Sequence, residues 1–171
     1  MRRILILSAI GIFSFLSFAR EVKVAYFDSE KLRSEWGEWK DAQAKFDQDV
    51  AQWQQQAQKM EEDLNALMEE FQRQQLLLSE DKRQEKQMLI QQKQQEYQDF
   101  LSSIFGEGGT ASKRNAELTA PLYARINKTL AAIADKEGYS VVFDALSSGI
   151  AYVDPTLDIT EELVKQLKTG Q

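Results

Sequence analysis

Few kinds of side chain in this sequence are able to do chemistry. Its 171 residues include no histidine and no cysteine. That removes the commonest general base, the usual zinc ligands and the thiol nucleophile. Carboxylates remain. They cluster at Glu61-Glu62-Asp63 and Glu69-Glu70, and single aspartates stand at Asp28, Asp144, Asp154 and Asp158. The clusters fall in a charge pattern that marks the wet face of a coiled coil. The single aspartates flank short β-prone runs, where turn and cap duty accounts for each. No GxGxxG, GxxxxGK[ST] or GxSxG motif occurs. The residues therefore predict a protein that is not an enzyme, with no catalytic residue, metal site or cofactor.

What carries those acids is a long apolar seam. Leu32, Trp36, Trp39, Gln43, Phe46, Val50, Trp53, Ala57, Met60, Leu64, Leu67 and Phe71 follow a strict alternation of four and three, and only Gln43 is polar. A 3.5-residue repeat held this far implies a left-handed supercoil against another helix. The three tryptophans all lie on the seam, so they read as packing and not as a ligand pocket. The seam ends at LLLSEDKRQEK, where Ser79 caps a second helix with Glu80 and Asp81 in its first turn. In that helix Ile90, Tyr97, Leu101 and Ile104 resume helical spacing. Two long helices with a short connection make an antiparallel hairpin. Its arm would reach roughly 70 Å at 1.5 Å per residue.

The return helix meets GEGG at Gly106 to Gly109, either a break or a weak spot in a continuous rod. Three glycines in four residues make a soft joint in either case. Pro121, farther on among Leu118, Leu122, Ile126, Leu130 and Ile133, forfeits a backbone donor and should kink the helix. Gly106, Gly108, Gly109 and Pro121 are thus the expected hinge of the arm. Apolar residues that the seam does not claim, Met68, Leu76, Leu77 and Leu89, have little protein to cover them on a thin rod. They are candidates for contact with a partner.

Short elements flank the hairpin. VKVAYF reads as a strand followed by an Asp28 or Ser29 cap, and YSVVFDA and IAYV as two more strands. Gly138 ends the preceding helix, and Asp158 with Glu161 suggests a capping box for ITEELVKQLK. Three short strands leave edges open and bury too little to stand alone, which calls for more than one chain. The N-terminus, MRRILILSAIGIFSFLSFA, has a basic start, an apolar run and a small-x-small site ending at Ala19, the marks of a cleaved signal peptide. The expected organisation is a signal at 1–19, an oligomerisation body from 20–31 and 138–171, and an arm over 32–137 with its tip near 76–82.

Charge narrows the partners. The chain carries 21 bases and 27 acids, a net charge of −6. Losing Arg2 and Arg3 with the signal would take that to −8. This balance opposes attraction to phosphate backbones and to anionic membrane surfaces.

KVAYFDSEKL, IADKEGYSVVFDA and DITEELVKQL, in that order, resemble the Skp/OmpH family of periplasmic chaperones. The resemblance runs over residues 20 to 168. It implies an α+β, mostly α fold: a homotrimer whose strands form a small β-barrel body, with three coiled-coil hairpin arms projecting around a cavity. It also implies an ATP-independent holdase that encloses unfolded outer-membrane proteins in the periplasm. One departure stands out. Family arms are basic and are thought to draw acidic clients and lipopolysaccharide, whereas residues 32 to 105 here carry fifteen acids against nine bases. That argues against lipopolysaccharide binding. The rival reading is a structural periplasmic spacer or adaptor docked on one fixed partner.

Overall fold

A computed structural model describes residues 22–170, so the segment read as a signal peptide lies outside the described residues. The chain is mostly helical and carries a two-stranded sheet. Strand β1 (Val24–Phe27) leads to a short helix α1 (Ser29–Glu35). Asp28 caps that helix by accepting from the backbone N–H groups of Glu30 and Lys31. Helix α2 (Gly37–Gln74) then runs 38 residues without interruption, about 57 Å at the helical rise. The chain turns back at the tip, Ser79 accepts from the Lys82 N–H, and helix α3 (Glu80–Phe105) returns. After Gly106–Gly109, helix α4 (Thr110–Glu137) completes the return and ends at Gly138, whose φ is +76°. Strand β2 (Val141–Asp144) pairs parallel to β1, with Val24 opposite Val141 and Phe27 opposite Asp144. A 3₁₀ turn (Pro155–Leu157) and helix α5 (Thr160–Thr169) finish the described chain.

The seam is not borne by one continuous rod at its base. Trp36 sits in extended backbone (φ −90°, ψ 114°) and separates α1 from α2. Gly37 opens α2 there. The turn drops the Trp36 indole into the body, where it is almost wholly buried. Leu32 and Trp36 pack in the core with Ala25, Leu122, Ile126, Ile133 and the inner face of α5. The core thus draws in the proximal part of α4, within the stretch read from sequence as arm.

Two local expectations give way. Residues 150–153, read as a strand, form no strand. Within one chain no partner reaches them: the far side of β1 is taken by a bridge from Tyr26 to Asp158 and by the Ile159 N–H donating to the Tyr26 carbonyl. The capping box of α5 does not form either. The Asp158 carboxylate accepts from the Thr160 N–H at 2.8 Å, while Glu161 pairs with Lys31 of α1. A tie to a neighbouring helix displaced the local cap.

Candidate functional site

The arm is built by the seam. Ala57 and Leu64 are buried, and Trp39, Phe46, Val50, Trp53, Met60, Leu67 and Phe71 are half-buried. Gln43 alone of the twelve faces solvent, and its amide donates to Asp47. Trp53 meets Phe105 of α3 edge to face, with ring centroids 6.4 Å apart. Nearer the body, Trp39 meets Tyr123 of α4 in the same way at 5.3 Å.

Three ion pairs clasp the arm across its width, each with the acid on α2 and the base on the return strand. They are Glu38 with Arg125, Asp49 with Arg114, and Glu70 with Lys86. Their spacing reveals the register. From Glu38 to Asp49 and from Arg125 to Arg114 the two strands each use eleven residues. From Asp49 to Glu70 α2 uses twenty-one, whereas from Arg114 to Lys86 the return strand uses twenty-eight. The surplus is one heptad. Most of it is consumed at Gly106–Gly109, because nine positions from Phe105 to Arg114 lie opposite four on α2.

The glycines of that joint have separate reasons. Gly108 adopts φ +65°, a left-handed conformation that costs other residues roughly 1–2 kcal/mol. The Gly109 N–H donates to the Gly106 carbonyl at 2.9 Å and closes a tight turn. A Cβ on Gly106 would fall 2.3 Å from the Ser102 carbonyl oxygen, and one on Gly109 would fall 2.7 Å from that of Ile104. Pro121 is not part of this joint. It lies on the exposed side of α4, a dozen residues on, and the helix continues through it.

At the distal end the residues singled out from sequence are all exposed. Leu76 and Leu77, at the tip, are 91% and 87% accessible, and Met68 and Leu89 flank the hairpin below. Met88, 64% accessible, joins them and was readable by the same off-seam argument. Between α2 and α3 here lies an open groove of about 830 Å³, floored by Met68, Phe71 and Ile90. Lys86 bridges the two helices nearby and holds the Glu70 carboxyl below its ordinary value, first through its hydrogen bond and then through its charge.

At the body a second apolar surface is open. Val141 and Phe143 point outward from β2, and Leu146, Ile150 and Tyr152 follow in the connection beyond it. Asp144 organises that connection by accepting from the Ser147 hydroxyl at 2.7 Å and the Leu146 N–H at 3.2 Å. Burial raises its carboxyl, but the hydrogen bonds from Ser147, Ser29 and the backbone outweigh that and leave it below the ordinary range. Sequence gave no sign of the clasp at the base of the arm. There Arg125 lies 5.1 Å from the centre of the Trp36 ring, donates to the Leu167 carbonyl at 2.9 Å, and pairs with Glu38.

Among the described residues no group of three or more acids could hold a metal ion. No helix among them is long and apolar enough to cross a membrane.

Comparison with known proteins follows the same outline. The profile of the family described as Outer membrane protein (OmpH-like) matches residues 23–167. Chaperone protein Skp of Pectobacterium atrosepticum is 33% identical over 113 residues, covering 65% of this chain and 64% of that protein. Chaperone protein Skp of Yersinia enterocolitica is 39% identical over 56 residues, 33% of each chain. The chain therefore spans less than two thirds of the length of these relatives. Among solved structures, an OmpH-like outer membrane chaperone from Caulobacter crescentus matches with a TM-score of 0.72 at 15% identity, over 88% of this chain and 86% of that one. At that identity the likeness is one of fold.

Proposed function

Because this chain belongs to the OmpH-like family of outer membrane proteins, we propose that it is an ATP-independent holdase of the periplasm. Its clients are unfolded outer-membrane proteins, enclosed between helical arms that stand on a body of three identical chains. The observation that carries this reading is where the uncovered apolar side chains lie. Apart from Phe105 and Tyr123, they gather at the two ends of a thin rod, on the body around Phe143 and Tyr152 and on the distal arm around Leu76 and Leu77. The body set suits contact with further copies, whose strands would extend the two-stranded sheet. The distal set suits weak, repeated contact with a client, and methionine adapts to varied shapes. Many weak contacts restrain a chain without fixing its conformation. Enclosure then keeps one client from meeting another.

The joint at Gly106–Gly109 supplies the arm with a point of give in the return strand, with Pro121 as a second place where the helix lacks a backbone bond. Because α2 passes the joint unbroken, splaying there would bend α2 around Trp53. The acidic arm leaves lipopolysaccharide outside the proposal.

The test is light scattering. Several unrelated outer-membrane barrels, diluted from urea in the presence of purified protein, should stay dispersed without nucleotide. Aggregation of all of them at the rate seen without the protein would remove the proposal. The exposed tip leucines also fit an adaptor that docks on one partner. Suppression confined to a single client at fixed stoichiometry would favour that reading instead.

A further inference from the structure

The distal groove is walled by amides. Asn65 and Gln72 stand on α2, seven residues apart, and Gln87 and Gln91 on α3, four apart. All four are exposed, and among the described residues none of their side chains makes a hydrogen bond. Some other glutamines of the arm are already engaged. Gln43, Gln58, Gln92 and Gln95 each donate to a carboxylate four residues along the same helix. Glu69 is the one charged group lining the groove.

We infer that this groove grips a short stretch of extended, uncharged polypeptide backbone through its amide walls, with the client's side chains resting on Met68, Phe71 and Ile90. This deepens the holdase reading and rests on it. The complementarity is chemical. A side-chain amide carries both donors and acceptors, which matches a peptide backbone that presents one of each per residue. A helix, whose backbone groups are already paired, has little to offer such walls. A charged ligand finds one acid and no base lining the groove. Length agrees as well. Asn65 to Gln72 spans about 10 Å of helix, the length of roughly three extended residues. A grip that short is weak by itself. Repeated on each arm of an oligomer it would hold a long client by multivalency while letting any one segment exchange.

The experiment uses the full-length oligomer and three labelled twelve-residue peptides followed by anisotropy. One alternates valine with serine and threonine, one carries four lysines, and one carries four glutamates. The neutral peptide should bind with little dependence on salt, since no ion pair contributes. In Gln87→Glu/Gln91→Glu, two surface changes between good helix formers, its affinity should fall about fivefold, the effect of one lost neutral hydrogen bond. The lysine peptide should gain affinity in the same variant. Neutral-peptide binding unchanged by the substitutions overturns the inference. So does a change in the oligomer's sedimentation on substitution, which would give the groove to a second copy's arm. The holdase reading is scored separately by light scattering. If the wild type suppresses aggregation while the groove substitutions leave peptide binding alone, the groove assignment falls and the holdase stands. If the wild type suppresses nothing, both fall.

Discussion

At the scale of single residues, ties between helices decide where charges go. Arg125 is the clearest case. Its planar guanidinium serves the Trp36 ring, the last turn of α5 and the first turn of α2 at once, which an ammonium could not do. It sits where the helix under the apolar repeat breaks at Trp36, and it covers an indole that is held in the body and not on the arm. Toward the tip, Lys86 donates to Glu70 at 2.7 Å and closes the hairpin from the other end. A carboxyl held below its ordinary value contributes stability above that value and loses it as pH falls through the lowered one. The clasp is intact at neutral pH, its contribution begins to shrink as pH falls below the ordinary 4.5, and it opens only at the lowered value. Lys86→Gln should therefore lower the melting temperature at pH 7, by an amount that shrinks with added salt. The gap between variant and wild type should close as the pH is taken from 5 toward 3. A gap that stays constant over that range would show that Lys86 acts through packing of its stem and not through its charge.

At the scale of elements, the arm shows how far a sequence can be read. The seam from Trp39 to Phe71 was legible because a 3.5-residue repeat has few physical meanings, and every apolar place on it turned inward. The state of Gly106–Gly109 was not legible, and the register explains why. Tyr97, Ile104, Ala111 and Leu118 are seven apart and all face inward on both sides of the joint. Because the surplus is a whole heptad, the pattern stays in phase whether the helix breaks or runs on. The strand at 150–153 and the cap by Glu161 failed for a related reason: their outcome depended on neighbours that local pattern does not contain. The off-seam residues Met68, Leu76, Leu77 and Leu89 could be found from periodicity, but the amide walls between them could not. Glutamine is common along this arm, and only the facing of two helices selects three of them, with Asn65, as walls. The register makes a prediction. Removing residues 106–112 joins Phe105 to Lys113 and brings Arg114 and Arg125 into the same register as Lys86, so α3 and α4 can fuse into one helix. That deletion should raise helical content by circular dichroism and hold or raise the melting temperature. Removing residues 106–109 alone leaves the two halves three residues out of phase, rotated by about 60° at 3.6 residues per turn, and should lower it. If the shorter deletion proves the more stable, the heptad surplus is not what the joint absorbs.

At the scale of the whole molecule, the body is the part that one chain leaves unfinished. Two four-residue strands form its sheet, and the outer face of β2 presents Val141 and Phe143 to solvent. The segment after it is apolar yet unpaired, with Tyr152 82% exposed. A sheet this small is marginal in water unless something packs on it. The helices α4 and α5 cover its inner side through Ala25 and Val142, so the uncovered side is the one that faces away from the chain's own core. Neighbouring copies would pair with the free edge of β2 and give residues 150–153 a strand to join. The arm would be indifferent to this, since its seam and its three clasps lie within one chain. The two parts should therefore respond differently to one change. Phe143→Glu/Tyr152→Glu puts carboxylates into the proposed contact, where an unpaired buried charge costs several kcal/mol. On native mass spectrometry the wild type should run as a trimer and the variant as a monomer. Helical content of the variant should stay close to that of the wild type, because Phe143 and Tyr152 lie outside the helices. Its suppression of client aggregation should fall, since separate arms no longer surround a common space. A variant that remains trimeric would move the assembly surface away from β2. A wild type that runs as a monomer would leave the arms with nothing to enclose.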